Sequence, residues 1–185
     1  MTDKDYMLHA IELAGNGIGA VDPNPLVGAV IVKDGRIIGE GYHARYGDLH
    51  AERNAFKNLT ESADGATIYV TLEPCCHHGK QPPCTDAILE NKIAKVVIGS
   101  RDPNPLVSGK GAAILRSAGV EVVEDFMREE CDKLNPVFFH YIITNGIGTV
   151  LADDPMLTVR VDGKRSPVRI ICDSSLRIPL ESNIV

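Results

Sequence analysis

The chain contains no tryptophan, and aromatic residues make up only 5% of its 185 positions. It also has no cationic excess: 19 Lys plus Arg stand against 25 Asp plus Glu, for a formal net charge of -6. A general nucleic-acid binder needs a basic face and stacking side chains, so that class of partner is excluded. No apolar run approaches the roughly eighteen residues that cross a bilayer, which excludes a membrane-spanning segment. The opening, Met1-Thr2-Asp3-Lys4-Asp5, lacks the charged-then-apolar layout of a secretion signal, so a cytoplasmic location is expected. Low complexity is missing too. With 44% hydrophobic and 24% charged residues, 17 Gly and 11 Pro, the chain can bury a core, and neither disorder nor a collagen-like repeat fits.

Cysteine is scarce and odd in number: Cys75, Cys76, Cys84, Cys131 and Cys172. In a reducing compartment, the clustering of the first three favours metal binding or catalysis over disulfides. Cys131 and Cys172 read as small buried hydrophobes, and His9 and His140 as ordinary helix or surface histidines.

Met7, Ala10, Ile11 and Ala14 recur at helical spacing, with Thr2 or Asp3 as cap and Gly15-Asn16-Gly17 as stop. Leu26 to Val32 reads as a buried strand, Asp34-Gly35 as a tight turn, and Arg36-Ile37-Ile38-Gly39 as the hairpin partner. Alternation then sets in: helix His50 to Leu59, strand Thr67 to Leu72, helix Thr85 to Asn91 and strand Lys95 to Gly99. Helix Gly111 to Ala118, strand Val120 to Val123 and helix Glu124 to Leu134 follow. Strands separated by single helices predict a three-layer α/β/α sandwich around a mostly parallel sheet. Beyond Asn135 the alternation breaks down, leaving one clear strand, Val168 to Cys172. The segment Asp-Pro-Asn-Pro-Leu-Val occurs at 22–27 and again at 102–107. Its flanks differ, so it is either a pair of good turns or a pair of loops at the rim of a pocket.

The chemistry concentrates in His50-Ala51-Glu52 and in Pro74-Cys75 with Cys84 eight intervening residues on. One imidazole and two thiolates suit Zn²⁺, and three protein ligands leave the fourth tetrahedral position to water, the mark of a catalytic site. Zn²⁺ with two thiolates and a neutral imidazole is formally neutral, so the metal keeps the power to acidify that water. Residues two apart on a helix share no face. If His50 opens a helix, however, both it and Glu52 can project past the N-terminus, where the carboxylate would move a proton from water to a leaving amine. Cys75 at a strand end and Cys84 at the next helix start complete the set. Cys76, His77 and His78 are rival ligands, and a closed four-ligand site is the structural alternative; it gives Glu52 no role. His-x-Glu followed by Pro-Cys-x-x-Cys is the signature of zinc nucleobase deaminases.

The residues above resemble the bifunctional deaminase/reductases of riboflavin biosynthesis, within the cytidine deaminase superfamily. The resemblance runs through 24–30, Gly41-Tyr42-His43, His50-Ala51-Glu52, the stretch 71–84 with its His77-His78-Gly79-Lys80 insert, and 101–105. It implies hydrolytic deamination of a ribosylated diaminopyrimidinone 5'-phosphate, a small-molecule pyrimidine ribotide. Carried over by position, His50, Cys75 and Cys84 would bind one zinc ion and Glu52 would be the catalytic proton shuttle. Asn24, His43, His77 and Lys80 would line the substrate pocket, with Lys80 meeting the phosphate. The family also implies a homo-oligomer. Zinc deamination of guanine, cytidine or a tRNA adenosine, and a non-catalytic zinc scaffold, are the rival functions; loss of turnover on Glu52→Gln separates enzyme from scaffold.

Residues 146–160 and 167–174 resemble the NADPH-dependent reductase domain, so a deaminase domain is expected over 1–145 and a partial, reductase-like α/β segment over 146–185. By that match Thr149, Asp153 and Ser174 would touch NADPH, and Leu157 and Arg160 would meet the ribotide. The reductase's first strands, expected between 138–142 and 146–148, are missing, as is its C-terminal half after Val185. The segment therefore cannot bury a normal core or complete a cofactor site by itself. A piece of a longer bifunctional enzyme joined near Asn145, or a paralogue keeping only the deaminase, is expected.

Overall fold

The computed structural model describes residues 1–77, 82–104 and 108–139. Thr2 starts helix α1 (Asp3–Gly15): Asp5 N donates to the Thr2 hydroxyl, and Thr2 N donates back to the Asp5 carboxylate at 2.7 Å. Strands β1 (Gly28–Lys33) and β2 (Arg36–Tyr42) form a hairpin closed by Asp34-Gly35, both left-handed (φ 49° and 73°), the turn that matches strand twist. Helix α2 (Ala51–Lys57), β3 (Thr67–Leu72), α3 (Cys84–Glu90), β4 (Lys95–Ser100), α4 (Lys110–Ser117) and β5 (Glu121–Val123) then alternate, and α5 (Arg128–Asp132) follows.

The sheet order is β2-β1-β3-β4-β5. β1 runs antiparallel to both of its neighbours, while β3, β4 and β5 are parallel. Four of the five strands therefore share one direction, with β1 alone reversed. Side chains alternate between two cores, as the pleat requires. Ala29, Ile31, Ile68, Val70, Val96 and Ile98 face Ala55 of α2, Ile88 of α3 and Leu115 of α4. Val30, Val32, Tyr69 and Val97 face Tyr6, Met7 and Ala10 of α1 and Cys131 of α5. This makes three layers.

The direction of the strands collects the chemistry at one end of the sheet. His43 leaves the carboxyl end of β2, Glu73-Pro74-Cys75 that of β3, and Arg101-Asp102 that of β4, while Asn24 precedes the reversed β1. Carboxyl ends of parallel strands are where open α/β sheets bind ligands.

One expected element is corrected. The helix expected over Glu124 to Leu134 is only Arg128–Asp132. Asp125 and Met127 are left-handed (φ 59° and 55°), and Phe126 N donates to Ile98 O at 3.0 Å. That bond ties the segment to β4, and helical dihedrals are incompatible with it. The chain divides into units Met1–Phe138 and Phe139–Val185. The strand expected over Val168 to Cys172 lies outside the described residues.

Candidate metal centre

His50 is the N-cap of α2, with extended backbone (φ -67°, ψ 161°), and its side chain makes no cap bond, so the imidazole is free to face away from the helix. Helix α2 lies close on β2 because Gly41 has no Cβ; one built there would collide with Ala55 N. Arg53 reaches across from α2 and donates to Pro82 O at 3.1 Å and Pro83 O at 2.9 Å, fixing the approach to Cys84. Cys84 N and Thr85 N donate to Cys75 Sγ and Cys75 O at 3.3 and 3.2 Å. The three expected ligands thus come from a helix cap, a strand exit and the first residue of α3.

Their donor atoms converge. His50 Nδ1 lies 3.5 Å from Cys75 Sγ and 3.4 Å from Cys84 Sγ, and all three atoms fall within 4.8 Å of one another. Ordinary Zn–N and Zn–S lengths at a tetrahedral angle separate N and S by about 3.6 Å, so the trio suits one zinc ion. Among the described residues no fourth protein donor joins them. The protonation balance agrees. Hydrogen bonds from the Cys84 thiol, and then from His50, draw Cys75 down to about 4 against the effect of burial. Cys84 is pushed up by its bond to Cys75 and by burial. The bond to Cys75 also raises His50. Three donors crowded around shared protons are the donor set a dication displaces protons from. Cys76 behaves in the opposite way to Cys75: burial first, then the Glu73 charge, raises its thiol, and it lies outside the cluster.

Glu52, in the first turn of α2, is only 4% exposed. Burial first, then the negative charge of Cys75, pushes its carboxyl up, while His50 opposes and the Cys84 side chain hydrogen-bonds to it. A dication on the three donors would oppose the push as well. His43 is buried, its ring edge-on to His50 with centroids 5.6 Å apart. Its Nδ1 faces Leu49 O at 3.0 Å, an acceptor, so Nδ1 carries the proton and Nε2 accepts from Asn24 Nδ2 at 3.1 Å. Burial lowers the His43 pKa and keeps the ring neutral. The first Asp-Pro-Asn-Pro copy therefore delivers Asn24 to the site, held from behind by Asn135, whose amide pairs with Leu26 N at 2.7 Å and Leu26 O at 2.8 Å.

Two residues of this region escaped the sequence reading. Asp102, in the second copy, has its carboxyl raised by burial, with the charges of Glu73 and Cys75 adding and that of His77 opposing, so it belongs to the same neighbourhood. The repeated segment was the signal for it. Glu73 is also buried, and a carboxylate in an apolar strand exit next to Pro74-Cys75 was the signal there. Lys80 and His78, together with Thr149, Asp153, Leu157, Arg160 and Ser174, lie outside the described residues.

The family described as the cytidine and deoxycytidylate deaminase zinc-binding region matches residues 1–100, and the RibD C-terminal domain matches residues 139–185. The riboflavin biosynthesis protein RibD of Actinobacillus pleuropneumoniae is 49% identical over 232 aligned positions, covering 100% of this chain and 62% of its own length. The diaminohydroxyphosphoribosylamino-pyrimidine deaminase of Buchnera aphidicola subsp. Schizaphis graminum is 50% identical over 139 residues, 75% of this chain and 95% of its own. The chain belongs to the RibD family. A crystal structure of the Thermotoga maritima family member, a diaminohydroxyphosphoribosylaminopyrimidine deaminase/5-amino-6-(5-phosphoribosylamino)uracil reductase, superposes with a TM-score of 0.74 at 43% identity, covering 92% of this chain and 62% of that one. This chain thus spans less than two thirds of these longer RibD relatives. The 232 aligned positions outnumber its 185 residues, so the Actinobacillus RibD protein has positions without a counterpart here. Among the described residues, no helix is long and apolar enough to cross a membrane.

Proposed function

We propose that this chain is a zinc-dependent aminohydrolase of riboflavin biosynthesis. It converts 2,5-diamino-6-(5-phosphoribosylamino)pyrimidin-4(3H)-one and water to 5-amino-6-(5-phosphoribosylamino)uracil and ammonia. The observation that carries the reading is the buried Glu52 beside Cys84 in the His50, Cys75 and Cys84 cluster. A relative little longer than the matched region carries the deaminase name.

His50, Cys75 and Cys84 hold the metal. When bound, zinc supplies Lewis acidity that makes a water nucleophilic near neutral pH. Glu52 takes a proton on its carboxylate and delivers it to the departing amine; its burial excludes bulk water from that transfer. Asn24 and neutral His43 present fixed hydrogen-bonding groups to the pyrimidine, and His77 and Lys80 complete the pocket, Lys80 at the phosphate. For the reductase-type portion the reading extends to NADPH at Thr149, Asp153 and Ser174 and to the ribotide at Leu157 and Arg160, with turnover only in a chain carrying the complete domain. The deaminase acts as a cytoplasmic homo-oligomer, with Val137, 80% exposed, available near the end of the described unit; light scattering tests the assembly.

The deciding experiment is ammonia release by zinc-quantified protein given the diaminopyrimidinone ribotide, with guanine and cytidine in parallel. Release with the ribotide alone supports the reading. Silence on all three with one zinc per chain overturns it in favour of a scaffold.

A further inference from the structure

Glu73 leaves β3 two residues before Cys75 and is 4% exposed. Its two carboxylate oxygens collect four backbone amides from two segments. Oε1 accepts from Gly111 N at 3.1 Å and Ala112 N at 3.4 Å. Oε2 accepts from Gly109 N at 3.0 Å and Asp102 N at 3.4 Å. Its own amide donates to Ser100 O at 2.9 Å, so both its main chain and its side chain bind the exit of β4. Helix α4 comes this close because Gly111 has no side chain; a Cβ there would run into Pro74 O. Beyond Asp102 the chain turns, with Asn104 N donating to Asp102 Oδ1 at 2.8 Å.

We propose that Glu73 is a positioning residue: it locks the Asp102–Asn104 rim and the α4 N-terminus in fixed register with Cys75, so the metal side and the rim of the site move as one body. The physical basis is the scarcity of alternatives. The Gly111 and Ala112 amides are buried and those of Gly109 and Asp102 half-buried, so an amide that loses this buried acceptor has little water within reach to replace it, and the four donors hold both segments to one side chain. Capping α4 alone would engage Gly109, Gly111 and Ala112; the bond from Asp102 N is the one that reaches the rim.

The test is Glu73→Gln, with Glu73→Asp beside it. Gln has one oxygen, so its NH2 group must face one pair of donors, and the rim is the pair with least helix to hold it. Zinc per chain should stay at the wild-type level. KM for the ribotide should rise on the order of tenfold, the loss of one such bond, with kcat changed less. The Asp102 and Asn104 amides should lose hydrogen-exchange protection. Glu73→Asp keeps both oxygens but withdraws them by about 1.5 Å, and should fall between wild type and Gln in KM. Wild-type KM and wild-type exchange at Asp102 and Asn104, with only a lower melting temperature, would overturn the proposal and leave Glu73 as a helix cap. If Glu73→Gln does not fold, unchanged exchange at Asp102 and Asn104 in Glu73→Asp overturns it equally. The inference rests on the deaminase reading only for KM. A wild-type protein that releases no ammonia defeats that reading, while exchange and zinc content still decide the role of Glu73.

Discussion

Glu52 and Glu73 are the same residue type, equally buried at 4% exposure, at the same end of the same sheet. Around Glu73, four amides from Asp102, Gly109, Gly111 and Ala112 satisfy the carboxylate. Around Glu52, burial and the charge of Cys75 dominate, and the carboxyl is pushed toward its protonated form. One carboxylate is occupied by four backbone donors, while the surroundings of the other favour its protonated form. Equal burial therefore goes with two different settings, and the groups that the fold brings to each carboxylate make the difference.

The largest effect that would sharpen this contrast removes the metal from the Glu52 side. Cys84→Ser should lose bound zinc, measured by elemental analysis, and ammonia release should fall below detection, because one thiolate of three ligands is gone. Next is Glu52→Gln: turnover should fall by about 10²–10⁴-fold, with zinc retained. The same variant has a stability signature. The folded pKa of Glu52 lies above its unfolded value, so its contribution is present at low pH and is lost as pH rises through the folded pKa. Melting curves of metal-free protein against pH should show a weaker loss above the ordinary Glu range for Glu52→Gln than for wild type. Equal slopes would mean that burial does not govern Glu52.

Glu73→Gln should destabilise by about 1–3 kcal/mol in a denaturant titration near neutral pH, since amides bonded to the carboxylate lose an acceptor. A neutral result would break the comparison. Asn135→Ala should cost a similar or smaller amount, because Leu26 N and Leu26 O lose their partners; in a denaturant titration about 1–2 kcal/mol is expected. The smallest effect concerns chemistry away from the site. Burial pushes Cys131 up to about 12, so at pH 8 peptide mapping should find it unalkylated in the native protein.

Much of this architecture was legible because local rules and tertiary demands agree. Thr2 with Asp5, Asp34-Gly35 and the strand Thr67–Leu72 stand where capping, turn chemistry and apolar runs place them. The clustering of His50, Cys75 and Cys84 was legible for a similar reason: His50 and Cys84 sit at helix starts, which punctuation in the chain marks. The expected helix after Glu124 was misread because its composition suits a helix, while a single bond from Phe126 N to Ile98 O holds that stretch to the sheet. Tertiary pairing overrides propensity there. The repeated Asp-Pro-Asn-Pro segment was visible, but its use was not. The first copy is anchored by Asn135, distant in the chain, and the second by Glu73, a short way upstream.

By itself, the sequence determined the element order, the metal-binding residue types and the carboxylate two residues after His50, because periodicity, turn chemistry and ligand chemistry act over a few neighbouring residues. Only the tertiary structure puts Cys75, and not Cys76, in the cluster with His50 and Cys84, because that depends on which sulfur lies near His50 Nδ1 across the fold. It also decided that Glu73 spends its oxygens on backbone while Glu52 keeps its carboxylate beside Cys84. Such assignments depend on distances between segments far apart in the chain, and a desolvated carboxylate takes its character from whichever donors the fold brings to it.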